Sequence, residues 1–392
     1  MTHPRLRTRA LLTAGLLAGA SAAPALADLT VATGDVTRTS VVLFASTDNT
    51  GELVFKYSTD PDFKSDVTEI TVQIADPAVP AKVLVNDLDP GQGYFVRVTD
   101  GGDDTGEARF STLLPADVKA PVRIATMTDW QQSPPFPTIA NLPGRNPDVI
   151  LKLGDTIFAD TETRALPGIV QARTLEQFRI KHLEIISSTF GLPGDDFMTP
   201  AYAVAPVFAT IDDHEIVDNF AGGAAPGESP DAPDVNPDEP PLFTDDVEFV
   251  NQTLAYAEAL QAYREYHPME LLDWADTGDD RVDGRPQLYR HRVLNGSASI
   301  TLLDSRSFRD VQLPPIQDPT DLQQIIAFII GTFTPDRTLL GQPQLEQLKA
   351  DLLADQAAGV TWKIVVIPEP IQNFGVVNAE DRFEGYAAER TE

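Results

Sequence analysis

The feature that most limits the fold is a change of apolar rhythm near residue 115. Between 29 and 113 the apolar residues come in short β-type runs, at 40–44, 53–57, 82–85 and 94–98. Turn clusters such as Asn49-Thr50-Gly51 and Asp89-Pro90-Gly91 separate them. Runs of this length, rich in β-branched and aromatic residues and cut by Gly, Pro, Asn and Asp, are strands. About seven of them at such spacing build a β-sandwich. A linker follows near 115–121, and strands then alternate with helices. The strands are predicted at 122–126, 148–153, 207–211, 298–303 and 363–367. Thr174 and Gln177 have capping-box spacing before a helix running to Phe190. Further helices are predicted over 251–266 and 344–356, the latter with Leu345, Leu348 and Leu352 on one face. Alternation of this kind makes a layered α/β domain.

Two segments stand apart from this rhythm. Residues 221–248 are rich in Pro, Gly, Asp and Glu, and are expected to form a long surface insert. The run Ile325-Ile326-Ala327-Phe328-Ile329-Ile330 is the longest late apolar stretch. It is far short of the ~18 residues of a membrane span. Its length and composition predict a buried helix or strand; an apolar lid or docking surface is the alternative.

The N-terminus has the order of an export signal. Arg5, Arg7 and Arg9 precede a short apolar run, and Ala25-Leu26-Ala27 offers a small-residue cleavage site before Asp28. The expected segments are therefore a signal at 1–27, a sandwich domain at 28–118 and a catalytic domain at 119–392, in a protein exported to the periplasm or the cell exterior. No membrane span is expected once the signal is removed. The net charge of -30 becomes still more negative on cleavage, since the leader holds three Arg and no acids. Such a surface argues against nucleic-acid binding, which needs basic patches. It also repels phosphate at long range, so an anionic substrate must be attracted locally, by metals and Arg. The absence of Cys excludes disulfides and cysteine catalysis.

The chemistry gathers just past the C-terminal ends of the predicted α/β strands, where open α/β sheets place their ligand sites. Asp129 follows the first strand, Gly154-Asp155-Thr156-Ile157-Phe158 the second, and Asp212-Asp213-His214-Glu215 with Asp218-Asn219 the third. Asp304-Ser305-Arg306 and Arg309 follow the fourth. A lone Asp at a strand end is ordinarily a turn former or helix cap. Four strand ends bearing carboxylates, with imidazole and guanidinium nearby, are the donor set of a site for hard metal ions. His182, His267 and His291 lie away from these motifs and are expected to be structural or surface residues.

The motifs together resemble those of the alkaline phosphatase D (PhoD-like) family of metallophosphoesterases. Gly154-Asp155 with Phe158 is similar to the GDxxY segment of calcineurin-like enzymes. Asp212-Asp213-His214-Glu215 with Asn219 resembles the DDHE…N segment of PhoD-like phosphatases. Leu303-Asp304-Ser305-Arg306-Ser307-Phe308-Arg309 resembles LDxRxxR, and 337–344, 362–363, 259–266 and 382–390 are similar to further family stretches. The element 88–94, ending in Tyr94, resembles the strand-edge tyrosine of fibronectin type III domains. The resemblance implies a fibronectin-III-like sandwich followed by an α/β metallophosphoesterase domain, layered α/β/β/α with mixed sheets. It implies hydrolysis of phosphate monoesters or diesters by a metal-activated water. Asp155 would bridge two metals, Asp129 would bind the first and Asp213 the second. His214 would stabilise the phosphoryl group or assist the leaving group, and Asn219 would be a further ligand or phosphate contact. Arg306 and Arg309 would contact phosphate, unless Arg306 is instead in a salt bridge to a neighbouring acid.

Three departures from the family pattern qualify these expectations. Asp129 stands where the family often has Cys, and Phe158 where it has Tyr. Losing thiolate and phenolate disfavours iron and points to calcium, manganese or magnesium. The family's closing GDxH segment is absent, so the α/β domain is expected to be C-terminally incomplete. The rival expectations are an inactive fragment, or a secreted binding or structural protein that keeps the scaffold. A nucleotidase-like phosphoesterase is an alternative enzyme.

Overall fold

A computed structural model of the chain describes residues 29–101, 104–130, 136–186, 198–230, 239–377 and 379–392. The expected export segment at 1–27 lies outside the described residues. The first seven strands are β1 (Thr30–Gly34), β2 (Val41–Ser46), β3 (Gly51–Ser58), β4 (Thr68–Ile74), β5 (Ala81–Val85), β6 (Gly93–Asp100) and β7 (Thr105–Ser111). Strands β4-β3-β6-β7 form one antiparallel sheet. It packs on β5-β2-β1 through inward residues such as Leu43, Val31, Leu53, Phe55, Val96 and Val98. The alternation in β6, buried at every second residue, is the period-2 pattern of a strand with one face in the core. The Tyr94 hydroxyl accepts the Asp89 N–H at 3.1 Å, which ties the strand to the turn before it.

The sandwich does not close on itself. Strand β1 also pairs in parallel with β10 (Val207–Thr210), which pairs with β9 (Val149–Leu153), which pairs with β8 (Ile124–Met127). One six-stranded sheet, β5-β2-β1-β10-β9-β8, therefore runs from the N-terminal strands into the α/β region. The join is narrow: Gly34 registers with Val207, and the Asp35 N–H donates to the Val207 carbonyl at 3.1 Å. A side chain on Gly34 would sit 2.1 Å from the Pro268 carbonyl oxygen, so only glycine permits this approach.

A second sheet, β11-β12-β13, comprises β11 (Arg290–Asn295), β12 (Ala298–Leu302) and β13 (Trp362–Val366). Its Leu294, Ile300, Leu302 and Val366 share a core with Val149, Leu151 and Phe208 of the large sheet. Ile150, Val207 and Ala209 point the other way, against α1 (Leu175–Ile186), α2 (Met198–Tyr202) and α3 (Leu254–Tyr266). Outside the second sheet, α5 (Gln342–Ala357) packs Leu345 beside Leu303, Leu339 and Phe308. The order is thus helices, sheet, sheet, helix. Both strand-rich layers end on the same side, and that edge carries the polar turns.

Two expectations need correction. The 221–248 segment is not a surface insert at its start. Ala221, Gly222, Gly223 and Ala224 are buried, and Gly222 and Gly223 donate to the carbonyls of Arg306 and Arg309, each at 2.9 Å. A Cβ on Gly222 would lie 2.4 Å from the Ser307 carbonyl oxygen, so a pair of glycines lets two backbones touch. The apolar run 325–330 is a helix, α4 (Leu322–Thr332), but it is mostly exposed: Phe328 and Thr332 are buried, and Ile325 is half-buried beside Phe328.

Candidate metal centre

The turns at the ends of β8, β9 and β10 share a left-handed backbone. Asp129, Gly154, Asp155 and Asn219 have φ of 62°, 79°, 49° and 59°. Such angles are strained for Asp and Asn and persist only where surroundings over-determine them. At Gly154 the cause is contact: a Cβ there would come within 2.2 Å of the Asp212 nitrogen. The two turns are stitched by a residue whose role the sequence alone did not indicate. Buried Glu215 accepts from the N–H groups of Thr156 (2.7 Å), Asp212 (2.9 Å) and Asp155 (3.2 Å), and from the Thr156 hydroxyl (2.8 Å). Its carboxylate thus fixes the spacing of the β9 and β10 turns.

That stitching brings Asp155, Asp213 and His214 together, each with a ligand atom within 4.8 Å of the others. Asp155 is pushed up to about 8, first by burial and then by repulsion from Glu215 and Asp213. Asp213 goes the other way. Burial opposes its charge, but Arg306, His214 and the Asn219 N–H, which donates at 2.8 Å, outweigh it and hold its pKa below the usual range. Burial pulls His214 down, yet a hydrogen bond to Asp160 and the charges of Asp213, Asp160 and Asp155 raise it to about 9. Its Nδ1 lies 2.7 Å from Asp160 Oδ2, and its ring stacks on Phe158 with centroids 4.0 Å apart. Asp160, five residues past Asp155, also accepts the Asp218 N–H at 2.7 Å, and so orients the imidazole from behind. Crowded carboxylate oxygens with one imidazole fit a hard cation, which would relieve the repulsion that burdens Asp155.

Asp129 stands outside that group. It is exposed, although its neighbours reach the site: Trp130 N–H donates to the Asp155 carbonyl at 2.9 Å. Thr128 Oγ1 donates to the Leu153 carbonyl at 3.2 Å. Asn219 sits at the rim, with Nδ2 donating to Asp218 at 2.9 Å and its carbonyl accepting from Gln312 at 3.1 Å.

Arg306 and Arg309 are placed beside the cluster but face acids. Arg306 Nε donates to Asp212 at 2.6 Å, and its Nη1 and Nη2 reach the two Asp381 oxygens at 2.8 and 3.0 Å. It also lies 3.3 Å from Asp213 and from Glu369. Burial alone would pull its pKa down, but Asp212, Asp213, Asp381 and Glu369 push it above the ordinary guanidinium value. Arg309 approaches Glu369 at 3.2 Å and Asp381 at 3.1 Å. Asp304 works on backbone: its Oδ1 accepts the N–H groups of Arg306 (3.0 Å) and Ser307 (2.9 Å), making the turn that aims both arginines. His182 and His267 lie in the core, where His267 Nε2 is 2.8 Å from the buried Lys152 Nζ. His291 lies on β11, with Nδ1 2.9 Å from the Thr301 hydroxyl.

A sandwich joined to layered α/β sheets, with carboxylates and an imidazole at the strand ends, defines a metallophosphoesterase-type scaffold. The chain belongs to the PhoD-like phosphatase family. The family's profile matches residues 124–392, and that of its N-terminal domain matches 14–114. The chain is similar to alkaline phosphatase D of Bacillus subtilis (strain 168), at 26% identity over 355 residues, covering 84% of this chain and 53% of that protein. It thus spans about half the length of that curated relative. A solved structure described as "Structure of PhoD" superposes with a TM-score of 0.66 at 22% identity, covering 92% of this chain and 67% of the other, a likeness of fold.

Proposed function

We propose that the chain is an exported, metal-dependent hydrolase of phosphate monoesters or diesters. The observation that supports this reading is the meeting of Asp155, Asp213 and His214 within 4.8 Å in a chain of the PhoD-like phosphatase family. Asp155 and Asp213 would hold divalent cations, with Asp155 shared between them; exposed Asp129 and rim residue Asn219 are the further ligands proposed. Bound calcium, manganese or magnesium would supply Lewis acidity toward a phosphoryl oxygen and an acidified water as nucleophile. His214, held through Nδ1 by Asp160 and with Nε2 3.7 Å from Asp218 Oδ1, would stabilise the phosphoryl group or hand a proton to the leaving oxygen. Arg306 and Arg309 remain the proposed phosphate contacts. They reach a ligand only by exchanging a carboxylate partner, and Asp381 is their most exposed one.

One observation favours a second reading, a non-catalytic scaffold kept for binding. Both guanidiniums are neutralised internally, so no arginine at the cluster points a spare charge at phosphate. Turnover of p-nitrophenyl phosphate and its bis ester, measured with added metals and after chelation, separates the two. Metal-restored turnover supports the enzyme; none with any metal supports the scaffold. No helix among the described residues is long and apolar enough to cross a membrane.

A further inference from the structure

The large sheet has a second end. Strands β8, β9 and β10 carry the acidic turns past Met127, Leu153 and Thr210, and they begin at Ile124, Val149 and Val207. Around those beginnings a cleft of about 520 Å³ opens between the α/β layers and strands β6 and β7 of the sandwich. Strand β9 has five residues. At about 3.3 Å per residue it keeps the cleft roughly 15 Å from the carboxylate cluster. A cleft of this size, at the seam of two packed units, has the dimensions and placing of a small-molecule site.

Its charge runs against the rest of the molecule. The chain holds 59 acids against 29 Lys and Arg. Arginines such as Arg97, Arg173, Arg179 and Arg281 are each paired with a carboxylate. Arg109 and Arg123, which line the cleft, have no carboxylate partner among the described residues. Arg109 donates from Nε to the Val204 carbonyl at 3.3 Å and from Nη2 to Asn146 Oδ1 at 2.9 Å, which holds the guanidinium in place and leaves Nη1 over. The Arg123 side chain makes no hydrogen bond to the described residues. Its backbone N–H donates to Asp148 Oδ2 at 2.6 Å, and Asp148 is the one acid in the described lining. A third guanidinium, Arg38, is tied to the same wall, donating to the carbonyl of Leu114 at 3.2 Å and of Val293 at 3.5 Å.

Between these cations the wall is apolar. Phe95, Leu114, Val122 and Val204 line it, each half-buried. Phe95 and Arg109 are cross-strand partners, so ring and guanidinium stand side by side on one face of the sheet. Guanidiniums with N–H groups to spare take an oxyanion, and the apolar wall takes the body that carries it. An inorganic anion would leave that wall uncovered, and a cation would meet the arginines.

We propose that this cleft binds small organic anions, a carboxylate, sulfonate or phosphate group carried on an apolar body. The inference stands on the cleft alone and is independent of the reaction proposed for the metal centre.

The test is isothermal titration of the purified chain with 1-naphthalenesulfonate, inorganic sulfate and 1-naphthylmethylamine. The sulfonate should bind roughly tenfold or more tightly than either of the others. Arg123→Gln should weaken it roughly tenfold, the loss of one charge-assisted contact, and Arg123→Glu should weaken it further. Neither variant removes a side-chain hydrogen bond, so both should melt with wild type. Arg109→Lys, which keeps the charge and loses the fork, should give a smaller loss. Lys349→Gln, on α5, should bind as wild type. The proposal is overturned if wild type does not bind the sulfonate. It is overturned equally if sulfate or the amine binds as tightly, or if Arg123→Glu binds unchanged, which would put the probe on apolar residues elsewhere.

Discussion

The large sheet and the small sheet both end in acidic turns, yet the two turns solve opposite problems. At the ends of β9 and β10, Asp155, Asp213 and Glu215 crowd together with too little positive charge, and Asp155 is driven up to about 8. At the end of β12, Arg306 and Arg309 meet Asp212, Glu369 and Asp381 in pairs that cancel. The same residue types at the same kind of position are left in deficit in one case and saturated in the other. The deficit is where a cation would fit; the saturated turn braces the backbone beside it. An acid at a strand end is thus informative only once its counter-charge is known.

The contrast predicts opposite responses to substitution. Arg306→Ala should have the largest effect, a loss of ~3–5 kcal/mol in urea unfolding, because removing one partner strands buried carboxylates. A change below ~1 kcal/mol would mean the brace is not one. Asp155→Asn should leave metal-free stability unchanged or higher, since it removes a repelled charge. The same substitution should lower turnover of p-nitrophenyl phosphate by at least ~100-fold, given that groups merely orienting a metal ligand are worth roughly 10–100-fold. Equal turnover at saturating metal would remove Asp155 from the site.

A third buried charge lies behind the large sheet and tests whether burial without a carboxylate behaves differently again. Lys152 Nζ meets Tyr202 Oη at 2.5 Å and His267 Nε2 at 2.8 Å. Burial lowers its pKa from 10.5 to about 7, with distant Glu215 opposing. The neighbouring His267 is held neutral by burial and by Lys152 itself. The unfolded chain therefore binds more protons between about 7 and 10.5, and stability rises with pH across that window. Melting temperatures of wild type should gain on those of Lys152→Met from pH 7 to pH 10; a flat difference would show that the amine titrates normally. The smallest expected signal is an absence. With Phe158 and Asp129 in place of phenolate and thiolate donors, the purified protein should show no visible charge-transfer band, and calcium or manganese should restore activity after chelation. A coloured protein with stoichiometric iron, active without added divalent metal, would reverse that.

The strands of the core were legible because short apolar runs bounded by turn residues mark them locally, as at 94–98 and 149–153. Strand β1 was not, since TVATG carries no long apolar run and is a strand only because β2 and β10 flank it. For α4 the sequence gives the apolar run but not its burial, because composition and length do not say whether an apolar stretch is covered. Composition misled at 221–224, where the glycines serve a close approach and not a loose loop. At the site, Asp155, Asp213 and His214 announce themselves as motifs. Asp381 does not: it lies 75 residues from Arg306 and acquires its role only when the chain returns.

The narrow join between β1 and β10 has a mechanical consequence. The strand pairing itself is short, Gly34 and Asp35 against Val207, but it is not what holds the two regions together. Ala32 and Phe44 pack among the residues of α1, α2 and α3. The Arg109 N–H donates to the Ala203 carbonyl at 2.8 Å, the Tyr266 hydroxyl donates to the Ala78 carbonyl at 2.9 Å, and the Asp35–Arg290 pair is buried at 2.8 Å. Pulling the N-terminal strands from the α/β layers therefore means opening a shared core, and the two regions should yield as one cooperative unit. Gly34, with no room for a methyl group, is the point where that unit is most easily spoiled by substitution.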